Sequence, residues 1–492
     1  MNDSLLALTN RYKQLAPDPD LHGSYYPADI YPGESVSANL RPADQTDWTS
    51  ARVWRVSPLG IEVVLPDGLD CVAGTTLDVE LKLGKQVTRL KAVVAANIQN
   101  ELNETVVGLR LIDQEAGQFD GTNRRNNARW ICSEQFFPVA VAANPARFND
   151  FVYSRARDLS ADGIKLYTSL RNKFLVQGMK LELMLSLPMV SQIQVSVVIR
   201  NVNLAVDNGK DYLAIGASFI TLDPRSRQAI GQYLIQFGRG VSPKELRDQR
   251  LVPKSVSSSI EFSFVRTIDD YRKVLELRKV AYVGAGKISP DTHSSEMGDI
   301  YDVRSRIVVG KYKGRVVASA GLVFNEYHDR MEIEEFVEWP DQLPRRDEMV
   351  EVIRNCTHPD FRGGDLLMAM FKFIAITVLQ AKRRYAVIGC TPDLIPLYRK
   401  IGMEDQKLEY RHRKLNDAKH TVMLADIPNT LSGGTVSPLY WNAIWADTMK
   451  YLRTSQSLEL NALSRTRIAI YQLARPAAMF IQYWMLRPRR AK

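Results

Sequence analysis

Two short stretches, Arg125-Asn-Asn-Ala-Arg129 and Asp158-Leu-Ser-Ala-Asp-Gly163, decide the fold of the middle of this chain. Two guanidinium groups four positions apart can hold phosphate oxygens and stack on flat bases. Asp158 and Ser160 can bond to a guanine edge or a ribose. Gly163 permits a tight turn where a strand begins. Together these residues predict a nucleotide site on a β-domain.

The sequence on both sides of these stretches has a β pattern. Short runs with alternating apolar residues, such as Thr76–Lys82 and Lys180–Leu185, are separated by Gly, Asp and Asn. Arg55-Val-Ser-Pro-Leu-Gly60 aligns with the second motif, and Gly108-Leu-Arg aligns with Gly216-Ala-Ser at nearly the same spacing. The sequence therefore predicts an internal repeat of one β-domain.

After a polar, serine-rich stretch at 241–259, helix and strand patterns alternate. The predicted helices are Ile268–Tyr282, Leu366–Ala381 and Leu394–Ile401. The predicted strands are Arg306–Tyr312, Val316–Phe324 and Tyr385–Gly389. This order is typical of an α/β or α+β domain.

Length and composition narrow the class of protein. A chain of 492 residues is too long for one core, and its net charge of +10 favours anionic partners. Four widely spaced cysteines indicate neither a metal site nor disulfides, which predicts reduced thiols in the cytoplasm. Met1–Pro19 lacks the apolar run of a signal peptide, and no run of ~18 apolar residues occurs.

The two nucleotide motifs resemble the RxxxR and D/NxSxxG motifs of the PilZ family, whose six-stranded β-barrel binds cyclic di-GMP. The resemblance implies a cyclic di-GMP site at Arg125, Arg129, Asp158, Ser160 and Gly163. Arg124 and Arg157 beside them are either further phosphate contacts or surface charges. The first repeat has Arg55 in place of the aspartate and no RxxxR, so it implies the fold without the site. The order of the two domains is similar to that of flagellar-brake proteins.

A second resemblance begins at His358-Pro-Asp-Phe-Arg-Gly-Gly-Asp-Leu-Leu367, a glycine turn before a helix. Free N–H groups at such a turn suit a pyrophosphate or a phosphopantetheine. The stretch resembles motif A of the GNAT acyltransferases, which implies an acyl-donor site at Arg362, Gly363 and Gly364. Tyr398 matches the GNAT tyrosine that protonates the leaving thiolate. The shortened glycine pattern and Asp365 favour acyl carrier protein over acyl-CoA as the donor.

Three further stretches are Leu277-Arg278-Lys-Val-Ala-Tyr282, Asp299-Ile-Tyr-Asp302 and Glu351-Val-Ile-Arg354. Together they resemble long-chain N-acyl amino acid synthases, which are related to N-acylhomoserine lactone synthases. Within this resemblance Glu351 is the candidate base for the attacking amine, or else an ion-pair partner of Arg354 or Arg278. Substrate-positioning roles are predicted for Arg278, Asp299, Asp302 and Arg354. Asp299 and Asp302 either cap a turn or hold the substrate's amino group, and His358 is a turn residue.

The last stretch, 464–492, is basic and aromatic, with Pro476 interrupting any single helix. It predicts either a contact with an anionic membrane surface or a helix packed across another domain.

These features predict a multidomain chain of two PilZ-like β-barrels, an α/β GNAT-like acyltransferase domain and a helical tail. The predicted divisions are an arm with a short helix at Leu5–Leu15 (1–45), a degenerate PilZ-like domain (46–122), a PilZ domain (123–240), a linker (241–259), the GNAT-like domain (260–430) and the tail (431–492). The expected function is cyclic di-GMP-responsive transfer of an acyl group from acyl carrier protein or acyl-CoA to an amine such as an amino acid. The alternative is a cyclic di-GMP receptor whose GNAT-like domain only binds a partner. Nucleic acid and metal are not expected partners.

Overall fold

The structure is a computed structural model of the chain, and it describes residues 28–29, 36–43, 45–58, 60–65, 71–99, 103–112, 127–147, 149–413, 415, 417–454 and 461–477. The chain divides into two compact units. The N-terminal unit comprises Met1–Val241 and Glu245–Lys254, and the C-terminal unit comprises Ser242–Lys244 and Ser255–Lys492.

The N-terminal unit is built mainly from antiparallel strands. Its described strands are β1 (Ala28–Asp29), β2 (Val36–Pro42), β3 (Thr49–Val56), β4 (Gly60–Val64), β5 (Thr76–Leu83), β6 (Gln86–Gln99), β7 (Thr105–Ile112), β8 (Trp130–Ile131), β9 (Val139–Ala143), β10 (Phe151–Leu159), β11 (Gly163–Thr168), β12 (Lys180–Leu187), β13 (Ser191–Asp207) and β14 (Lys210–Thr221). Helix α1 (Pro224–Phe237) follows, and α2 (Pro243–Asp248) lies at the boundary of the units.

These strands form two closed six-stranded barrels with one topology. The first runs β3-β2-β5-β6-β7-β4 and closes because β3 also pairs with β4. The second runs β10-β9-β12-β13-β14-β11 and closes through β10 and β11. Since each strand occupies the same place in both orders, the predicted internal repeat is confirmed.

Alternating side chains fill each barrel. In β5, Leu77, Val79, Leu81 and Leu83 are buried, while the residues between them are partly or fully exposed. A strand places successive side chains on opposite faces, so this alternation turns one apolar face inward. The sequence pattern thus sets both the strand and its core face.

Two predicted segment descriptions are corrected. The arm was expected to run to residue 45, but β2 pairs with β3 and β5 and is part of the first barrel. The predicted helix Leu5–Leu15 lies outside the described residues. The polar linker at 241–259 contains α2, and Leu246 and Leu251 are fully buried. Two leucines in a polar stretch were enough to fold it against its unit.

The C-terminal unit is a mixed sheet with helices. Its strands are β15 (Ile260–Phe264), β16 (Ser305–Tyr312), β17 (Arg315–Phe324), β18 (Met349–Thr357), β19 (Tyr385–Cys390), β20 (Glu404–His412) and β21 (Ala418–Asp426). Its described helices are α3 (Ile268–Val283), α4 (Leu366–Gln380), α5 (Ile395–Lys400), α6 (Ile427–Leu431), α7 (Pro438–Ile444), α8 (Ala446–Thr454) and α9 (Ala462–Leu473). The sheet order is β15-β16-β17-β18-β19-β21-β20, and this mixed sheet with helices confirms the predicted GNAT-like fold class.

The helices after β21 pack on the C-terminal unit. Trp441 donates its indole N–H to the Leu431 carbonyl at 2.7 Å, and Trp445 donates to the Ile401 carbonyl at 3.1 Å. In α9 the Tyr471 hydroxyl donates to the Gly433 carbonyl at 3.0 Å. These contacts favour the packed-helix alternative for the part of the tail up to residue 477. No helix among the described residues has the length and apolar character to cross a bilayer.

Candidate functional sites

The turn between β10 and β11 is held by Ser160. Its hydroxyl oxygen accepts hydrogen bonds from the N–H groups of Asp162 and Gly163, at 3.3 and 3.0 Å. A Cβ on Gly163 would come within 2.5 Å of the Ala217 carbonyl oxygen on β14. Glycine is therefore required here for the barrel to close.

Asp158 and Arg129 meet beside this turn. The Arg129 Nη1 donates to Asp158 Oδ1 at 3.0 Å, and both side chains are only partly buried. A carboxylate and a guanidinium are thus side by side where an anionic ligand can reach the arginine. Arg124 and Arg125 of the same motif lie outside the described residues.

The first barrel repeats the turn without the ligand groups. Ser57 accepts from the Gly60 N–H at 3.1 Å, as Ser160 does from Gly163. Arg55, in the place of Asp158, pairs with Glu62 on the adjacent strand at 3.0 Å, and both are buried. An internal ion pair fills the position that Asp158 occupies in the second barrel, which agrees with a fold kept without its site.

A cluster of cationic and aromatic side chains lies on β10, β11 and β14, and of its members only Arg157 was named from the sequence. The Arg155 guanidinium lies 5.7 Å from the Tyr167 ring centroid and 5.2 Å from that of Tyr212. Arg157 and Lys165 lie 6.0 and 5.7 Å from the Tyr167 ring. Asp207 pairs with Arg155 and lies 4.0 Å from Arg157, so both arginines of this cluster already face a carboxylate. Its members come from three strands, so only their pairing brings them together.

In the C-terminal unit a cleft opens between the parallel strands β18 and β19. They pair only over Met349–Glu351 and Tyr385–Val387. A bulge in the pairing of β18 with β17 follows, at which Arg354 has a φ of 51°. The bulge turns β18 away from its neighbour. A cavity of about 90 Å³ lies at this cleft, lined by residues of both strands.

Glu351 is in the wall of this cavity. The backbone N–H groups of Glu332 and Ile333 donate to its two carboxylate oxygens, each at 2.9 Å. Burial raises the pKa of Glu351 to about 7, against the two backbone bonds that lower it. The predicted alternative, an ion pair with Arg354 or Arg278, is wrong, because both arginines have other partners. A carboxyl group that titrates near neutrality is suited to take up a proton.

Tyr398 lies in the same wall. Asn355 Nδ2 donates to its hydroxyl oxygen at 3.2 Å, and its ring packs edge-on against Phe371. Burial raises the pKa of Tyr398 well above its ordinary value, so the hydroxyl keeps its proton at neutral pH. The two predicted catalytic residues therefore line one cavity.

The four predicted substrate-positioning residues bind one another or their neighbours instead. Arg278 is fully buried and donates to both Asp302 oxygens at 2.7 and 2.8 Å. Arg354 pairs with Glu332 and with Asp299. Asp299 and Asp302 also cap the 3-10 helix Ile300–Arg304. The predicted contact of Arg278 and Asp302 with a substrate is corrected, since burial leaves these two a structural role.

This pairing gives a stability prediction. Replacing Arg278 by Met should cost about 3–5 kcal/mol, because Asp302 would keep a buried charge without its guanidinium. Chemical denaturation of the full chain, followed by tryptophan fluorescence, measures it. On the same helix, the exposed Lys273–Asp269 pair is the control, and Lys273→Met should leave the denaturation midpoint essentially unchanged, because solvent screens an exposed pair. Equal losses in the two variants would contradict this assignment.

The predicted donor turn carries both glycines in exposed positions, and Gly363 has a φ of 78°. Arg362 is exposed and donates to the Ala281 carbonyl at 3.0 Å. Asp365 accepts from the N–H groups of Val256 and Ser257 at 2.9 and 3.0 Å. The hydroxyls of Ser255 and Ser257 also donate to it, each at 2.7 Å. These hydrogen bonds hold the serine stretch, residues 255–257, against the donor turn.

Several cavity residues were not predicted from the sequence. His412 and His420 come from the hairpin β20–β21, with ring centroids 5.3 Å apart, and Tyr410 stacks on His420. Tyr410 packs so closely on Gly389 that a Cβ there would clash with it. Lys287, after α3, also lines the cavity. Only the order of strands in the sheet brings this set together.

No group of residues within the described part of the chain has the composition and spacing of a metal site. The four cysteines are buried. Burial raises the pKa of the Cys356 thiol to about 11, which keeps it protonated.

Family models match two sections of the chain. The PilZ domain model matches residues 123–236, and the model of the N-acyl amino acid synthase FeeM matches residues 273–426. None of the curated proteins matches the chain significantly in sequence.

Solved structures with a similar arrangement share little sequence with this chain. MrkH of K. pneumonia, in its c-di-GMP complex, is 15% identical over 41% of this chain and 86% of that chain, with a TM-score of 0.21. FeeM from uncultured soil microbes is 8% identical over 36% and 94%, with a TM-score of 0.29. A GNAT acetyltransferase from Elizabethkingia anophelis, with acetyl-CoA bound, is 12% identical over 34% and 98%, with a TM-score of 0.24. These values are too low to support a functional assignment.

The barrel with Arg129, Asp158 and Ser160 lies within the PilZ match. The cleft strands with Glu351 and Tyr398 lie within the synthase match. The chain is therefore similar to PilZ domains over residues 123–236 and to the N-acyl amino acid synthase FeeM over residues 273–426.

Proposed function

We propose that this chain is an N-acyltransferase whose rate responds to cyclic di-GMP. The observation that carries the proposal is the cavity in the β18–β19 cleft, which has Glu351 and Tyr398 in its walls. A second-messenger site is proposed at Arg124, Arg125, Arg129, Asp158, Ser160 and Gly163. Glu351 and Tyr398 are the proposed base and acid of the transfer.

The chemistry needs one proton taken up and one supplied. The amine nitrogen attacks the carbonyl carbon of the acyl thioester, and Glu351 takes a proton from that nitrogen, directly or through water. The carbon–sulfur bond then breaks, and the Tyr398 hydroxyl gives its proton to the leaving sulfur. The products are an amide and a free thiol.

The donor we propose is a long-chain acyl group on acyl carrier protein, held at Arg362, Gly363 and Gly364. The Asp365 carboxylate lies next to these glycines, and Val256 packs within 3.5 Å of the position of a Cβ on Gly364. A negative charge and a covering side chain disfavour the diphosphate of acyl-CoA there. A small apolar cavity of about 30 Å³ shares Val352 with the cleft wall, and we place the first methylene group of the acyl chain there.

Regulation is proposed to pass through the serine stretch that is fastened to Asp365. The C-terminal unit resumes at Ser255, directly after Lys254, the last residue of the N-terminal unit. A conformational change that displaces Lys254 would also displace Ser255 and Ser257. Their hydrogen bonds to Asp365 would transmit this displacement to the donor turn. A ligand shifts such an equilibrium only by its difference in affinity for the two states.

A contact with an anionic membrane surface through 464–492 remains part of the proposal, with the protein otherwise in the cytoplasm. The outer side of α9 exposes Leu463, Ile470 and Leu473, and two arginines, Arg465 and Arg467, lie on the same helix. Apolar and basic side chains together suit such a surface. A long acyl chain in the substrate would make this location useful.

The alternative is a receptor whose GNAT-like domain only binds a partner. It predicts a cleft filled by side chains, whereas the cleft between β18 and β19 contains a cavity with polar walls. This observation favours the enzyme.

The test uses the purified full chain with one long acyl group, carried either on acyl carrier protein or on CoA, and a mixture of amino acids. Mass spectrometry detects the amides. We expect product with the carrier-protein donor, and a change in rate of about 5–150-fold on saturation with cyclic di-GMP. In Asp365→Ala this response should shrink, because the serine stretch is released.

Absence of amide with both donors, with and without cyclic di-GMP, would establish the receptor alternative. Equal rates with and without cyclic di-GMP, together with unchanged small-angle scattering, would show that the cyclic di-GMP site does not regulate the acyltransferase domain.

A further inference from the structure

Two buried polar atoms in the cavity wall, the Asn355 amide oxygen and the His412 Nδ1, have no hydrogen-bond partner among the described residues. The half-buried Lys287 lines the same cavity. Asn355 follows the bulge of β18, His412 ends β20, and Lys287 follows α3. Buried polar atoms in proteins are nearly always hydrogen-bonded, so an unpaired set in one cavity points to a ligand.

Asn355 and His412 offer hydrogen-bond acceptors. The Asn355 amide nitrogen is used by the Tyr398 hydroxyl, which leaves its Oδ1 as an acceptor. His412 is only 4% exposed, and its Nε2 lies 3.5 Å from the carboxylate of Glu332. The tautomer that carries its proton on Nε2 faces this carboxylate and leaves a lone pair on Nδ1. The two atoms can accept two N–H bonds of the ammonium form of a primary amine, which leaves its third N–H for Glu351.

Lys287 offers a positive charge. It is half-buried, and burial lowers the pKa of its ammonium group. Asp393 acts on Lys287 only at a distance and forms no ion pair with it. A cation that has lost part of its water without gaining a protein partner suits a carboxylate ligand.

We propose that these three groups form the subsite for an acceptor that carries a primary amine and a carboxylate together. Asn355 and His412 hold the amine N–H groups and direct the nitrogen lone pair away from themselves, towards the thioester. Lys287 binds the carboxylate and makes the enzyme select amino acids over simple amines. This inference rests on the proposed acyl transfer and adds the residues that choose the acceptor.

The test compares pairs of acceptors that differ only in the carboxylate, such as tyrosine with tyramine and phenylalanine with phenethylamine. The full chain should prefer the amino acid by about 10- to 100-fold in kcat/KM, the size of a hydrogen-bonded charge pair. In Lys287→Met this ratio should fall to about 1, mainly through KM, since a carboxylate contact is the same in ground and transition states. Lys287→Arg, which keeps the charge, should retain most of the preference.

Lys279→Met is the matched control, because Lys279 lies on α3 outside the cavity lining, and its ratio should equal that of the unaltered chain. Calorimetric titration of tyrosine into Lys287→Met gives a second readout that does not depend on turnover, and weaker binding is expected. An unchanged ratio with unchanged binding in Lys287→Met would overturn the subsite and leave the acyltransferase standing. No amide from any acceptor of either kind would overturn the acyltransferase, and the subsite with it.

Discussion

Asp158→Ala and Arg129→Ala should each lower the affinity for cyclic di-GMP by about 100-fold or more. The unaltered chain should bind it with micromolar or better affinity. Two charge-assisted hydrogen bonds of about 1.5–3 kcal/mol each account for such a loss. Isothermal titration of the full chain measures it.

The geometry explains why the affinity for cyclic di-GMP depends on both Asp158 and Arg129. Arg129 already lies 3.0 Å from Asp158, so its guanidinium is oriented before a ligand arrives. Removing Asp158 leaves Arg129 without this orientation and the ligand without a hydrogen-bond acceptor. Arg125→Ala, in the same motif, is expected to act in the same way.

Arg171→Ala is the matched control in the same barrel. Arg171 pairs with Asp150, away from the Ser160 turn, on an exposed part of the surface. It should bind cyclic di-GMP as the unaltered chain does. Retained affinity in both Arg129→Ala and Asp158→Ala would refute the site, because the fold alone does not require either side chain.

Glu351→Gln should reduce acyl transfer by about 10²–10⁴-fold, the usual contribution of a positioned acid or base. Only the ionised carboxylate can take a proton from the amine. Since the pKa of Glu351 is about 7, the rate of the unaltered chain should rise with pH through that value. Initial rates from pH 5.5 to 8.5 test this.

The same pKa has a consequence for stability. The folded-state pKa of Glu351 lies above the ordinary value of 4.5, so the folded chain binds a proton between pH 4.5 and 7 that the unfolded chain releases. Stability therefore falls as the pH rises through this window, by roughly 3 kcal/mol for a shift of this size. Glu351→Gln should lack this fall, as chemical denaturation at pH 5 and pH 8 would report.

Glu261→Gln, an exposed change on β15, is the control and should keep both the rate and its pH profile. If Glu351→Gln stayed within about 10-fold of the unaltered rate, the base would have to be another group, with His412 as the next candidate. A loss of rate with an unchanged pH profile in the conservative Glu351→Asp would indicate a structural role instead.

Local patterns predicted most elements of this fold. The predicted helix Ile268–Tyr282 ends one residue before the observed helix, and the predicted strand Val316–Phe324 begins one residue after the observed strand. The hairpin β20–β21 was missed because Glu-Asp-Gln-Lys-Leu-Glu-Tyr-Arg-His has almost no apolar alternation. Pairing with β21, which itself pairs with β19, holds β20 in an extended form. Because this hairpin carries His412, missing the strand also meant missing part of the site.

Local sequence is sufficient to specify the turns and caps whose partners lie only a few residues apart along the chain. The Ser160–Gly163 turn and the Asp299–Asp302 cap are bonds across three residues, set by local backbone conformation. Repetition of the turn in both barrels follows from the repeated motif.

Which charged side chains stay available to a ligand depends on contacts between residues that are distant in the sequence. Asp302 and Arg278 are 24 residues apart, and nothing in their spacing shows that their side chains form an ion pair with each other. Lys287, Asn355 and His412 come from distant segments and meet because the bulge and the strand order open one cleft between them. Long-range pairing depends on which strands become neighbours, and that is settled by the packing of the whole sheet and not by any local pattern.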